Sequence, residues 1–382
     1  MRGRWRDVRP ATGPLVCARG PDRWCYNRVM STGRPQGAWR RTLDQVADFA
    51  GVSRATVSRV INGVQTVDPK IRDRVELAIA ATGYVPNLAA RSLVTRRTDS
   101  VALIISEPDR HTSASDAAFL NRIFTDPYFG RITAGAQEVL RPNGIHLVII
   151  PADSATHHQV VRYIRQGHVD GVLLVSSLPS DRLPEQLSEL GVPMVVSARP
   201  GPKVTASYVD VDQTAGARLA AEHLVARGCR HLATITGPLD TPVAQDRLSG
   251  FRTALSGFQP DPDQIRYVEG DFTRAGGEAA ARQLLADLPE LDGLFVANDL
   301  MAEGVLIALQ AAGRRVPEDV AVIGFDDSSA ALACRPPLTT VRQPVEEMAA
   351  EMSRLLLAQI NEPERLTRSV FFQPSLVLRQ SA

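Results

Sequence analysis

Apolar residues fall into a helical rhythm near the amino terminus. Leu43, Val46, Ala47 and Ala50 recur at i, i+3, i+4 and i+7, which puts them on one helix face. Thr42, with Gln45 three residues on, has the spacing of a capping box, and Gly51 marks the stop. Ser53 begins a second helix with an apolar stripe of Val57, Val60 and Ile61, ended by Asn62-Gly63. Asp68 caps a third with Pro69 at its first position, a stripe of Ile71, Val75, Ala78 and Ile79, and Gly83 past its end. Three short helices with matched start and stop signals predict one small all-α domain over residues 41–86.

From Val101 the period changes. The runs "VALIIS", "HLVIIP", "GVLLVS", "PMVVSA", "HLATIT", "GLFVAN" and "VAVIGF" alternate with amphipathic helical stretches. Short apolar strands separated by helices predict parallel, doubly wound sheets, and there are too many for one sheet. Two similar lobes over 99–382 are therefore expected. The intervening segment 87–98 opens with Asn87 as the cap of a helix of barely two turns, too short to be stable alone in water. Residues 107–128 interrupt the rhythm at the carboxyl end of the first strand, where open α/β sheets bind ligands. This stretch is either a flap over a ligand or an insertion. Residues 1–40 are rich in Arg, Gly and Pro without an apolar period. They are expected to be disordered, with Met30 as an alternative initiator.

Charge sharpens this division. The formal net charge of +1 conceals two halves of opposite sign. Residues 1–97 hold 18 Lys/Arg against 7 Asp/Glu, a net +11, and the remainder holds 25 against 35, a net −10. A basic helical end on a mildly acidic α/β body predicts a nucleic-acid-binding head. The four cysteines form no C-x-x-C pair, so no metal site or disulfide framework is expected, and a cytoplasmic setting fits. No apolar run approaches the roughly 18 residues of a membrane span. The chain lacks G-x-S-x-G, a P-loop and H-E-x-x-H, and His157-His158 is expected to be solvated without partners. Neither an enzyme nor a cofactor is indicated.

In a tight helix-turn-helix the second helix packs one face on the first and leaves the other free for a DNA major groove. That free face carries Arg54, Ala55, Ser58 and Arg59. Arg suits bidentate bonding to guanine, and a small Ala permits contact with a thymine methyl. Thr42, at the start of the first helix, suits a phosphate contact.

"TLDQVADFAGVSRATVSRVIN" followed by "YVPNLAARSL" resembles the lactose-repressor (LacI) family of transcriptional regulators. The likeness continues through "VDQTAGARLAAEHLVARGCRHLATITGP", "DRLSGF", "GLFVANDLMAEGVLIAL", "VAVIGFDD" and "PPLTTVRQP" in family order. It implies a multidomain chain: an all-α helix-turn-helix head, a hinge helix, and an α/β two-lobed effector domain like periplasmic binding proteins. The implied partners are double-stranded operator DNA (an inverted repeat), a small-molecule effector such as a sugar, and a second copy of the chain in a homodimer. By resemblance Arg54, Ala55 and Arg59 read bases, while Ser53, Thr56, Ser58 and Asn62 position phosphates. Leu93 matches the hinge leucine that wedges into the minor groove.

For the effector, the resemblance implies Arg247, Phe272, Asn298 and Asp326, whose chemistry suits a polyol. Tyr128, Phe129 and Asp126 lie near the contact region of the first lobe. Competing structural roles are a surface ion pair for Arg247, a turn for Asp326 and core packing for Phe272. Asp299 and Asp327 are expected to cap adjacent segments. After "VPMVV", where many relatives carry Asp, Asn or Gly, this chain has Ala198 and then Arg199. A hydroxyl contact is expected to be lost there, and Arg199 either meets an acidic ligand or lies on the surface beside Pro200. The rival to the regulator is a cytoplasmic sugar-binding module whose helical head serves assembly.

Overall fold

The computed structural model describes residues 42–61, 64, 66–85, 97–106, 120, 123–176, 178–258, 265–362, 364 and 366–382. The expectations for residues 1–40, for Asn62, Asn87 and Leu93, and for most of the 107–128 stretch lie outside them. The chain divides into two compact units, Met1–Asn87 and Leu88–Ala382.

The first unit holds α1 (Leu43–Ala50), α2 (Arg54–Ile61) and α3 (Pro69–Thr82). Both halves of the α1 capping box form: Thr42 N–H donates to Gln45 Oε1 (3.0 Å), and Gln45 N–H donates to Thr42 Oγ1 (3.3 Å). Gly51 turns the chain at φ 61°, a left-handed conformation that suits a residue without Cβ. Arg74 of α3 caps the same turn, donating from Nη2 to the Ala50 carbonyl at 2.5 Å. Ser53 Oγ accepts from Thr56 N–H and Asp68 Oδ1 from Lys70 N–H, so the caps predicted at Thr42, Ser53 and Asp68 are in place. Val46, Ala47, Ala50, Val57, Val75 and Ala78 form the buried core.

The second unit is two Rossmann-like lobes, each a six-stranded sheet flanked by helices. Lobe 1 uses β1 (Ser100–Ser106), β2 (His146–Ala152), β3 (Gly171–Ser176), β4 (Met194–Ser197) and β5 (Ser207–Val211). Its helices are α4 (Pro127–Leu140), α5 (His157–Arg165) and α6 (Leu183–Glu189). Lobe 2 uses β6 (Leu232–Thr236), β7 (Arg266–Glu269), β8 (Gly293–Val296), β9 (Ala321–Asp326) and β10 (Thr339–Arg342). Its helices are α7 (Gln213–Ala226), α8 (Pro242–Leu255), α9 (Arg274–Asp287), α10 (Asp299–Ala311) and α11 (Ser329–Ala333). The chain then returns to lobe 1 as α12 (Val345–Asn361) and β11 (Ser369–Phe372), and ends in lobe 2 as β12 (Ser375–Val377). The sheet orders are β11-β5-β4-β3-β1-β2 and β12-β10-β9-β8-β6-β7. Among the described strands every pairing is parallel except β10 with β12.

Central strands buried on both faces explain the uninterrupted apolar runs: Val101–Ser106 of β1 are all buried. The chain crosses between lobes three times, after β5, β10 and β11. At the second crossing α12 presses its first turn on α4 so closely that a methyl group on Gly135 would collide with the Glu346 carbonyl. The carboxyl ends of β1, β4 and β9 meet one cavity from opposite sides, with the loops after β7 and β8.

Candidate functional site

On the head, α2 keeps Arg54, Ala55 and Arg59 exposed and buries Val57 beneath them. Ser53 is exposed, Thr56 and Ser58 are half-buried, and Thr42 is exposed at the start of α1. Ser53 Oγ and Thr56 Oγ1 also share a hydrogen bond of 2.9 Å, which orients both hydroxyls at the start of α2. Arg54 Nε lies 3.8 Å from Asp44 of α1, an exposed pair that contributes little to stability and holds the guanidinium only loosely. Two exposed arginines flank a small residue on a helix whose other face is fixed by the core. That is the shape and charge a major groove accepts.

In the two-lobed unit, Tyr128, Phe129 and Arg199 from lobe 1 line one cavity of about 370 Å³ together with Arg247, Phe272, Asn298 and Asp326 from lobe 2. The parts of this wall differ in character. Arg247, on α8, is a buried side chain and not a surface ion pair. Its Nε donates to Gln213 Oε1 at 2.9 Å, its Nη1 donates to the Ala297 carbonyl, and its guanidinium lies 3.6 Å from the centroid of Phe325. Burial pulls its pKa below the usual value, against the opposing pull of Asp326 and Asp210.

Asp326 ends β9 with φ 115°, and its Oδ1 accepts from Gln343 Nε2 at 2.5 Å. Burial pushes its carboxyl upward, partly countered by Arg247. Asn298 is the N-cap of α10: Oδ1 accepts from Met301 N–H (2.9 Å) and Nδ2 donates to the Phe272 carbonyl (3.0 Å). One amide hydrogen therefore remains for a ligand. Phe272 sits at φ 64°, packed partly on the lobe 2 core and partly facing the cavity. Tyr128 donates to or accepts from Ser197 Oγ (3.2 Å), and burial raises its pKa to about 12. Phe129 is a core residue of lobe 1 that touches the cavity edge. Arg199 is exposed at the rim.

Strain gathers here. The described non-glycine residues with positive φ are Asp99, Ala198, Phe272, Asp326 and Asp327. Ala198, Phe272 and Asp326 line the cavity and Asp327 adjoins it. Such conformations cost about 1–3 kcal/mol each and collect where ligands are held.

Ala198 carries no carboxylate, but the next strand brings one to the same cavity: Asp210 of β5 accepts from Arg199 N–H (3.3 Å) and lines it. Asp210 also bonds Gln213 Nε2 (3.1 Å), and burial pushes its carboxyl upward. His157 is not solvated: its Nε2 lies 3.3 Å from Ser106 Oγ and 3.7 Å from the buried Asp181. Serine and carboxylate face the same ring nitrogen, so the trio is not arranged as a catalytic relay, which needs one on each nitrogen. Asp299 bonds Ser328 N–H and Thr340 Oγ1, and Asp327 pairs with Arg379, both structural roles. Asp210, Gln213 and Gln343 were missed, although "VDQTAG" and "VRQP" carry the two glutamines.

Among the described residues no helix is long and apolar enough to cross a membrane. Residues 42–87 match the family described as bacterial regulatory proteins, lacI family, and residues 221–382 match the periplasmic binding protein-like domain. The chain is 44% identical over 349 residues to the HTH-type transcriptional regulator CelR of Thermobifida fusca, covering 90% of this chain and 98% of that one. It is 32% identical to the ribose operon repressor of Escherichia coli K12, covering 89% and 99%. Among solved structures, a transcriptional regulator CelR–cellobiose complex aligns with TM-score 0.68 at 41% identity, covering 90% of this chain and 100% of that one. The lac repressor dimer bound to operator and the anti-inducer ONPF aligns with TM-score 0.73 at 26% identity, covering 90% and 99%. With a helix-turn-helix head and a two-lobed effector domain in family order, this chain belongs to the LacI family of bacterial regulatory proteins and is a sequence-specific DNA-binding transcriptional regulator.

Proposed function

We propose that this regulator is a homodimer whose operator affinity is set by a neutral sugar of disaccharide size held between the lobes. The observation that carries the reading is the charge of the cavity wall. Among the described residues seven carboxyl-bearing side chains line it against two guanidinium groups, with no lysine or histidine. With Asp326 kept protonated by burial near neutrality, six carboxylates still face two cations. A phosphorylated or acidic sugar placed there meets net repulsion, whereas hydroxyl groups find acceptors in Asp210 and Asp326 and donors in Arg247 and Asn298. This turns the ligand away from the acidic class that Arg199 alone suggested. The volume lies at the low end of the ~300–1,000 Å³ of small-molecule sites. Likeness to the CelR–cellobiose complex supports a glucose disaccharide.

Arg54, Ala55 and Arg59 read bases in this proposal, and Thr42, Ser53, Thr56, Ser58 and Asn62 hold phosphates. Residues 87–98, with Asn87 and Leu93, form the hinge between a head over 41–86 and the effector domain over 99–382. Ligand binding shifts a two-state equilibrium between lobe arrangements with different operator affinity, and the coupling is reciprocal.

The test uses full-length protein and a duplex selected from random sequences. Calorimetry with cellobiose, ribose and glucose 6-phosphate is paired with fluorescence anisotropy on the duplex. Cellobiose is expected to bind and change operator affinity at least tenfold, with no response to the phosphate ester. Binding of glucose 6-phosphate alone, or no sugar response at all, would overturn the reading.

A further inference from the structure

Arg131 stands behind the cavity, not in its wall, and it is the side chain that joins the lobes at Asp326. On α4 of lobe 1, its Nε donates to Glu346 Oε1 and its Nη2 to Glu346 Oε2, each at 2.7 Å, a bidentate pair with the first turn of α12. The same Nη2 donates to the Gln343 carbonyl at 3.2 Å, in the crossover from β10 to α12. Nη1 donates to the backbone carbonyl of Asp326 at 2.8 Å, at the end of β9 in lobe 2. One planar group therefore grips lobe 1, a crossover and lobe 2.

Asp326 is held at both ends by this arrangement. Arg131 fixes its carbonyl, Gln343 fixes its carboxylate, and its backbone sits at the unfavourable φ of 115°. A sugar hydroxyl that bonds the carboxylate competes with Gln343 and changes the balance that keeps the residue strained. The rigid fork of Arg131 ties the Asp326 carbonyl to α4 and to the close-packed start of α12, the geometry through which a shift at Asp326 would reach lobe 1.

We propose that Arg131 is a positioning residue that couples occupancy of the cavity at Asp326 to the orientation of lobe 1, without itself touching the effector. The proposal rests on the sugar-effector reading above. The bidentate hydrogen bond from Arg131 holds the Glu346 carboxyl below its ordinary value.

The experiment compares wild type, Arg131→Ala, Arg131→Lys and Glu346→Gln as full-length proteins. Cellobiose affinity is measured by calorimetry, and operator affinity with and without cellobiose by anisotropy. Arg131→Ala is expected to bind cellobiose within about threefold of wild type while the cellobiose-dependent change in operator affinity falls at least tenfold. Arg131→Lys keeps the charge but not the fork, so it should recover less than half of the response. Glu346→Gln should resemble the alanine variant in weaker form. A merely structural role predicts a lower melting temperature with the response intact, and that result would overturn the proposal. Failure of the wild type to bind cellobiose would instead remove the effector reading and the proposal with it.

Discussion

Replacing Arg247 by methionine separates the effector function of the cleft from its stability. Methionine fills nearly the same volume without charge or donors. The guanidinium has five N–H donors, of which Nε is committed to Gln213 and one Nη1 hydrogen to the Ala297 carbonyl. Three donors remain on a side chain that lines the cavity. A hydrogen bond from a charged donor contributes about 1.5–3 kcal/mol, so two bonds to vicinal hydroxyls amount to ~3–6 kcal/mol, or roughly 10²–10⁴ in affinity. Stability should move less. The variant loses the stack on Phe325 and leaves Gln213 Oε1 and the Ala297 carbonyl without that donor, but it also removes a buried charge whose desolvation costs several kcal/mol. Cellobiose calorimetry and thermal melts on full-length Arg247→Met, with anisotropy on the operator, measure all three quantities. The expectation is a loss of cellobiose affinity of at least 100-fold, a melting shift of a few degrees, and ligand-free operator affinity within threefold of wild type. A variant that binds cellobiose as wild type does, or that loses operator binding along with it, refutes the assignment of Arg247 to the ligand.

Three further outcomes follow from the same geometry. Arg59→Ala should cost ~1–3 kcal/mol on the selected operator and weaken discrimination at one position, and a uniform loss across all sequences would restrict Arg59 to phosphates. Asp326 has a folded-state pKa raised by burial. Between the ordinary carboxylate range and that raised value, the folded chain keeps a proton the unfolded chain has lost, so this group's contribution to stability declines as pH rises. Asp326→Asn should therefore gain in melting temperature relative to wild type from pH 5 to pH 8 while losing the sugar response, and a pH-independent difference would contradict the burial argument. Ala198 holds φ 72°, where asparagine is better tolerated than alanine, so Ala198→Asn should stabilise the fold by ~0.5–1 kcal/mol in denaturant melts. Unchanged or lower stability would show that the surrounding chain already relieves this strain.

The head was legible because its signals are local. Thr42 with Gln45, Gly51, Ser53, Asp68 and Pro69 each act within a turn of their own position, and all serve as the spacing implied. The seven strands found in the sequence are those with apolar runs, such as Val101–Ser106. Short strands with polar or charged positions escaped: β5 carries Asp210 within "SYVDV", and β7 is "RYVE". Missing β5 had a consequence for the site, because the carboxylate absent at Ala198 stands on that strand, beside Arg199. β5 follows its parallel neighbour β4 after a short connection without a helix, so neither an apolar run nor the strand–helix alternation marks it in the sequence. The glutamines were hidden for a similar reason. Gln213 and Gln343 sit where the chain passes between lobes, one bonded to Arg247 and the other to Asp326. In sequence each looks like an ordinary polar residue opening a helix. Only the fold reveals that both groups proposed to meet the ligand are tied to a crossover. On the function proposed above, binding energy spent at Arg247 or Asp326 is delivered to segments that pass between the lobes. A two-lobed binding protein that merely closed on its ligand would need no such ties; one that must report occupancy to DNA does.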